Sequence, residues 1–164
     1  MTPLNIYEQL LQDASDCDIR VHESFDLNGE SNSPSKIDGI YMDGHIALDK
    51  NLKTSVEKAC VLAEELGHHY TSAGNILDMK NMWNRKQEQQ ARLYGYNRMI
   101  GLRGIISAFN AGCQNRFEVA EHLHVTEEYL QEAIDCYTGK YGDCTMVDNY
   151  IIYFIPYLGV MEFT

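Results

Sequence analysis

The chain has 164 residues, a formal charge of −11 and an apolar content of 45%, which suit one globular domain with a proper core. So acidic a balance argues against a nucleic-acid or anionic-membrane surface, where a basic patch is expected; it leaves room for a basic protein partner. Five cysteines with no C-x-x-C pair, no opening signal-peptide pattern and no apolar run longer than residues 150–155 point to a reducing cytoplasm, free thiols and no membrane span.

In chain order, Pro3 follows Thr2 as an N1 residue follows its cap. Leu4, Tyr7, Leu11 and Ala14 then repeat at helical spacing, so residues 3–16 are predicted as an amphipathic helix. Ile19 and Val21 alternate with Arg20 and His22, a short strand. Residues 28–36 are loop by composition. Residues 37–42 and 45–48 predict two strands around Asp43-Gly44, a hairpin signal.

Thr54-x-x-Glu57 is a capping-box pattern that starts the next helix, and Gly74 is the candidate C′ residue at its end. Val56, Ala59, Cys60, Ala63, Leu66 and Tyr70 give it a broad apolar face. Asn84-x-x-Gln87 starts a following helix that runs to about Ile100. Arg103 to Ala111 makes another, bounded by Gly101 and Gly112. Phe117, Ala120 and Leu123 mark a further helix, and Thr126 caps one that contains Tyr129, Leu130, Ala133 and Ile134. Residues 147–155 predict a strand ended by Pro156. The fold class is α+β: one small mixed or antiparallel sheet, about three or four strands, packed on a mostly helical body. Residues 1–114 form the core with strands and motif helix. Residues 115–164 add a helical pair and a last strand to the same domain.

The chemistry concentrates in Ala63-Glu64-Glu65-Leu66-Gly67-His68-His69. Residues i and i+4 of a helix share one face, about 6 Å apart along the axis. Glu64 and His68 can therefore point at one metal ion, with Glu65 beside it as a base. This is the H-E-x-x-H geometry of a zinc-peptidase helix with its first His replaced by Glu. A catalytic zinc needs three protein ligands and an open position, and the best third candidate is Glu88. An antiparallel helix pair would return it to His68, with the small residues Ala91 and Gly95 letting the helices approach. In this frame Glu65 takes a proton from the attacking water. His69, Tyr70 or Tyr94 could bond the oxyanion, and nothing in the sequence selects among them. A second frame, with Glu65 and His69 as ligands, fits the spacing equally well.

At this point the chain resembles a known family. Leu62-Ala63-Glu64-Glu65-Leu66-Gly67-His68-His69 is similar to the L-A-H-E-L-G-H stretch of ImmA/IrrE-type metallopeptidases, and Glu88-x-x-Ala91 resembles their downstream E-x-x-A element. The resemblance covers roughly residues 37–100. It implies the first frame: Glu64 on the first-ligand position, Glu65 on the catalytic acid, His68 on the second ligand and Glu88 on the third. It also implies a zincin-like active-site helix and a cytoplasmic metal-dependent endopeptidase of a phage or mobile element. The implied target is a basic helix-turn-helix repressor, cut once. The departure at Glu64 puts two negative charges on the ion in place of one. More ligand charge weakens the Lewis acid, so slow turnover is expected, or tolerance of Mn2+ in place of Zn2+.

Each of these features has a plainer reading. A Glu–His pair at i, i+4 is commonly a surface contact worth tenths of a kcal/mol, and Glu88 with Arg92 reads as an exposed ion pair. His22 and His45 read as partly exposed strand neighbours, His122 and His124 as turn residues, the later tyrosines as core and rim packing. Residues 117–126 have helix-turn-helix spacing, yet Glu127, Glu128, Glu132 and Asp135 would meet phosphates with the wrong sign. The alternative function is a partner-binding module, a toxin–antitoxin or anti-repressor component, that keeps the cleft without hydrolysis. A transcription regulator using residues 115–140 is more distant. The strand ending near Leu48 is expected beside the motif helix, its open edge holding an extended substrate.

Overall fold

The computed structural model describes residues 3–29, 36–71 and 82–164, with side chains left out at residues 82–84. Most of the loop expected at residues 28–36, and the helix end expected at Gly74, lie outside the described residues. The chain divides into two compact units, Met1–Gly95 and Tyr96–Thr164.

In the first unit the leading helix α1 spans Ile6–Asp16. It starts later than Thr2-Pro3 suggested, because Asn5 is the cap. Its side chain accepts from the Glu8 amide while Glu8 returns a bond to the Asn5 amide, both at 2.9 Å. Two orphan donors are satisfied reciprocally there, which a Thr-Pro start cannot offer. Strands β1 (Arg20–Phe25), β2 (Gly39–Met42) and β3 (His45–Asp49) form a mixed sheet in the order β1-β3-β2. β1 runs parallel to β3, and β2 antiparallel to it. The hairpin turn falls at Asp43-Gly44, as expected, with φ of 44° and 79°, the left-handed pair a two-residue turn of this kind requires.

The strand ending at Leu48 is therefore the central one, not an edge. Its Ile46 and Leu48 lie on one face and are fully buried. The edge beside the motif helix is β2. Helix α2 (Ser55–Thr71) packs against β2 and β3 on one side and α1 on another. Thr54 caps it: Oγ1 accepts from the Glu57 amide at 3.1 Å and donates to Glu57 Oε1 at 3.1 Å. Leu10, Ala14, Ala59, Leu62 and Ala63 are fully buried and make the core that fixes the orientation of α2.

Helix α3 spans Met82–Met99. Asn84 thus lies inside the helix and is not its cap. The second unit contains α4 (Gly101–Asn110), α5 (Arg116–Leu123), α6 (Glu127–Tyr141) and a second sheet. Helix α4 begins at Gly101, two residues before the expected Arg103. Asn115 and Thr126 cap α5 and α6, accepting from the amides of Glu118 and Tyr129 at 2.9 and 3.0 Å. His124 holds the left-handed turn between them at φ 56°, the turn role expected of it.

The C-terminal strand expected over residues 147–155 is a hairpin instead. β4 (Cys144–Val147) and β5 (Tyr150–Tyr153) pair antiparallel, and β6 (Gly159–Glu162) adds to β5. Asp148 turns the chain at φ 53°, a conformation that Asp tolerates better than most residues. The fold class is α+β, as expected, with its strands shared between two three-stranded sheets rather than one. Among the described residues no helix is long and apolar enough to cross a membrane.

Candidate metal centre

Helix α2 places Glu64 and His68 on one face, one turn apart, and α3 brings Glu88 to meet them. One ligand atom from each of the three lies within 4.8 Å of the others. His68 Nε2 and Glu88 Oε2 are 3.2 Å apart. His68 is buried at 4% exposure and Glu65, its neighbour on the inner side, at 7%. Glu88 is largely shielded and Glu64 partly so.

What allows the two helices to come together is Gly67. A Cβ there would lie 2.2 Å from the carbonyl oxygen of Ala91, closer than any side chain tolerates. The expectation that small residues line this contact holds at Ala91, which is fully buried; Gly67 is the partner that sequence reasoning passed over. A mid-helix glycine costs about 1 kcal/mol relative to alanine, so its presence between Leu66 and His68 was itself a signal of close backbone approach. Gly39 is a second such position. A Cβ on it would meet Val61 Cγ1 at 2.6 Å and Glu65 Oε1 at 3.1 Å, so the bare backbone of β2 leaves the space that the Glu65 carboxyl fills.

The electrostatics follow from crowding three carboxyls into a partly buried volume. Burial pushes Glu65 up to about 8; the charges of Glu64 and Glu88 add to this, and His68 opposes it. Glu64 is also raised, by burial first, against the pull of Arg92, with Glu88 adding both charge repulsion and a carboxyl–carboxyl hydrogen bond. For His68, burial disfavours the imidazolium, but the hydrogen bond to Glu88 and the charges of Glu65, Glu88 and Glu64 outweigh it and raise the net value. Glu88 moves the other way: burial is overcome by the hydrogen bond and charge of His68, the charge of Arg92 and the bond from Glu64. The cluster thus raises proton affinity at Glu64, Glu65 and His68 and lowers it at Glu88. His68 Nδ1 is buried and has no hydrogen-bond partner among the described residues.

The candidate oxyanion donors have other engagements. His69 Nδ1 lies 2.8 Å from the hydroxyl of Tyr41 on β2, and Tyr70 OH lies 3.0 Å from Cys17 Sγ. The ring of Tyr94 lies tilted against that of Tyr70, 5.0 Å between centroids. The ligand frame built on Glu65 and His69 is not the set brought together; the frame of Glu64, His68 and Glu88 is. Arg92, read as a simple surface partner of Glu88, contacts both Glu88 and Glu64, at 3.4 and 3.5 Å. His22 and His45 are more closely associated than expected, with ring nitrogens 3.1 Å apart and the rings stacked.

A helix bearing Glu-x-x-x-His with an adjacent buried carboxyl, and a glutamate from the next helix within reach, is an arrangement similar to that of metallopeptidase helices. The family model Peptidase_M78, the IrrE N-terminal-like domain, matches residues 15–135, and the chain belongs to that family. No curated protein and no solved structure matches it. The matched span contains the whole cluster, and membership carries with it a metallopeptidase-type function and a divalent metal.

Proposed function

We propose that this protein is a metal-dependent endopeptidase in which Glu64, His68 and Glu88 hold one divalent ion and Glu65 is the general base. The observation that carries the reading is that one oxygen from each of two carboxylates and one imidazole nitrogen, brought from two helices, all lie within 4.8 Å of one another. Two oxygens and one nitrogen so gathered are a donor set that fits Zn2+, and the double carboxylate also suits a harder ion such as Mn2+. When bound, such an ion polarises a substrate carbonyl and makes water a better nucleophile at neutral pH.

The rest falls to the chain's own side chains. Glu65 stands beside the ligands, buried, with a proton affinity raised to about 8 in the metal-free protein. A carboxylate so placed accepts the proton of the attacking water and can return it to the leaving amine. β2 is an edge strand of its sheet, and its Gly39 lies against Glu65. An extended peptide adding to that edge would run past the base with its backbone hydrogen-bonded in register. The substrate we infer is a basic DNA-binding repressor of a phage or mobile element, met in the cytoplasm. The net charge of −11 supports it through long-range attraction, as does the likeness of the E-E-L-G-H helix to ImmA/IrrE-type proteins.

The test is metal content and stability. Protein purified without a chelating tag should carry about one ion per chain. Glu64→Ala, His68→Ala and Glu88→Ala should each lose it. At free Zn2+ a hundredfold above the dissociation constant, the unaltered protein should gain about 2.7 kcal/mol against unfolding, and the three variants should gain almost none. An intact protein that takes up no ion would end this reading. An ion-loaded protein that inactivates its partner equally well after Glu65→Gln would be a binding module instead.

A further inference from the structure

We propose that Arg92 is a positioning residue of this metal centre: it holds one oxygen of each ligand carboxylate and returns the charge of the Glu–His–Glu set to that of a one-carboxylate site. The inference rests on the metallopeptidase reading above and adds a residue that the ligand motif does not contain.

The geometry is specific to the atom. Arg92 Nε lies 3.4 Å from Glu88 Oε1, while His68 Nε2 lies 3.2 Å from the other oxygen, Oε2. Arg92 and His68 therefore grip opposite oxygens of one carboxylate, and the oxygen on the imidazole side is not the one the guanidinium uses. The same Nε lies 3.5 Å from Glu64 Oε1. Arg92 stands one turn after Glu88 on α3, where an i, i+4 partner naturally falls, and from there it reaches across to α2. A surface pair would touch one carboxylate; this side chain touches two, both of them proposed ligands, on separate helices.

Charge supplies the reason for a cation at this place. Glu64 and Glu88 with neutral His68 carry two negative charges, one more than a His–His–Glu set. Adding Arg92 brings the local total back to a single negative charge. The guanidinium is half-exposed, so it offsets the carboxylates from the rim without being buried itself. A guanidinium suits this task because it does not lose its proton, and its Nε stands within reach of both carboxylates at once. Partners that orient metal ligands typically change affinity by about 10–100-fold when removed.

Arg92→Gln and Arg92→Lys, stripped of metal, would be titrated with Zn2+ by calorimetry against a competing chelator. Each would also be loaded with Co2+ for its visible spectrum. The expected result is Zn2+ binding weakened about 10–100-fold in the Gln variant, a shifted Co2+ spectrum, and substantial recovery of both in the Lys variant. Affinity within about twofold of the unaltered protein, with the same Co2+ spectrum, would reduce Arg92 to a surface pair. Tighter binding in the Gln variant would also overturn the proposal, making Arg92 a competitor that the ion displaces. If the unaltered protein itself binds no Zn2+, the metallopeptidase reading falls and takes this role with it. A tight native site unchanged by Arg92→Gln overturns the role alone.

Discussion

Glu65→Gln should keep its ion and lose its catalysis. Hydrolysis of a quenched-fluorescence peptide library should fall by on the order of 10²- to 10⁴-fold, the usual contribution of a positioned general base, while metal content stays unchanged. The amide fills the space beside Gly39 that the carboxyl occupies but cannot take a proton. A second readout concerns the metal-free protein. Glu65 has its affinity raised from 4.5 to about 8 by burial. Below the lower value the folded and unfolded chains both carry the proton, and the buried group imposes no ionic penalty. Between the two values the unfolded chain ionises while the folded one keeps its proton, so stability falls as pH rises, by on the order of a few kcal/mol by pH 8. Urea midpoints across this range should fall less steeply in Glu65→Gln than in the unaltered protein. Equal slopes would place the Glu65 carboxyl in water, not in the site.

Gly67→Ala should be the most disruptive single methyl in the first unit. In an ordinary helix interior the change would stabilise by about 1 kcal/mol. Here the new Cβ would sit 2.2 Å from the Ala91 carbonyl oxygen and 2.9 Å from its carbonyl carbon. Backbone does not rotate away as a flexible side chain does, so α2 and α3 must move apart. Overpacking of this kind costs about 1–3 kcal/mol, and separating the helices withdraws Glu88 from His68. The expected outcome is a lower urea midpoint together with loss of Zn2+ uptake. A variant of unchanged or raised stability that still binds the ion would show that the helix contact does not position the ligands.

Local signals carried most of the fold. Thr54 and Thr126 announced their helices because a capping hydroxyl followed by helix formers is a short-range pattern. Asp43-Gly44 announced its hairpin because that turn needs two positive φ angles. The start of α1 was misplaced because two cap signals compete there, Thr2-Pro3 and Asn5-x-x-Glu8, and only the latter satisfies amides in both directions. The Asp148 turn was missed because it carries no glycine, so residues 144–153 resemble one interrupted strand. Sheet order lay beyond local reading: β1 beside β3, with β2 at the edge, is decided by pairing between distant residues.

The same division applies to the site. The face shared by Glu64 and His68 follows from helical period alone, and Glu88 from an expected antiparallel neighbour. The bonds of His69 to Tyr41 and of Tyr70 to Cys17 join segments far apart in the chain and leave no trace in residue order. Arg92 was visible only through its i, i+4 relation to Glu88; its reach to Glu64 on another helix needed coordinates.

The polar composition of the first half of α3 has a consequence for the loaded protein. Over residues 85–95 its buried positions are Gln87, Ala91 and Gly95, which offer little oily surface with which to anchor a helix. An ion clasped by Glu64, His68 and Glu88 would act as a rivet through that seam, closing the chain between α2 and α3 and lowering the entropy of every opened form. Amide hydrogen exchange along α3 should then slow on loading while the buried strand β3 changes little, so that metal occupancy is recorded in the motion of a helix as well as in chemistry.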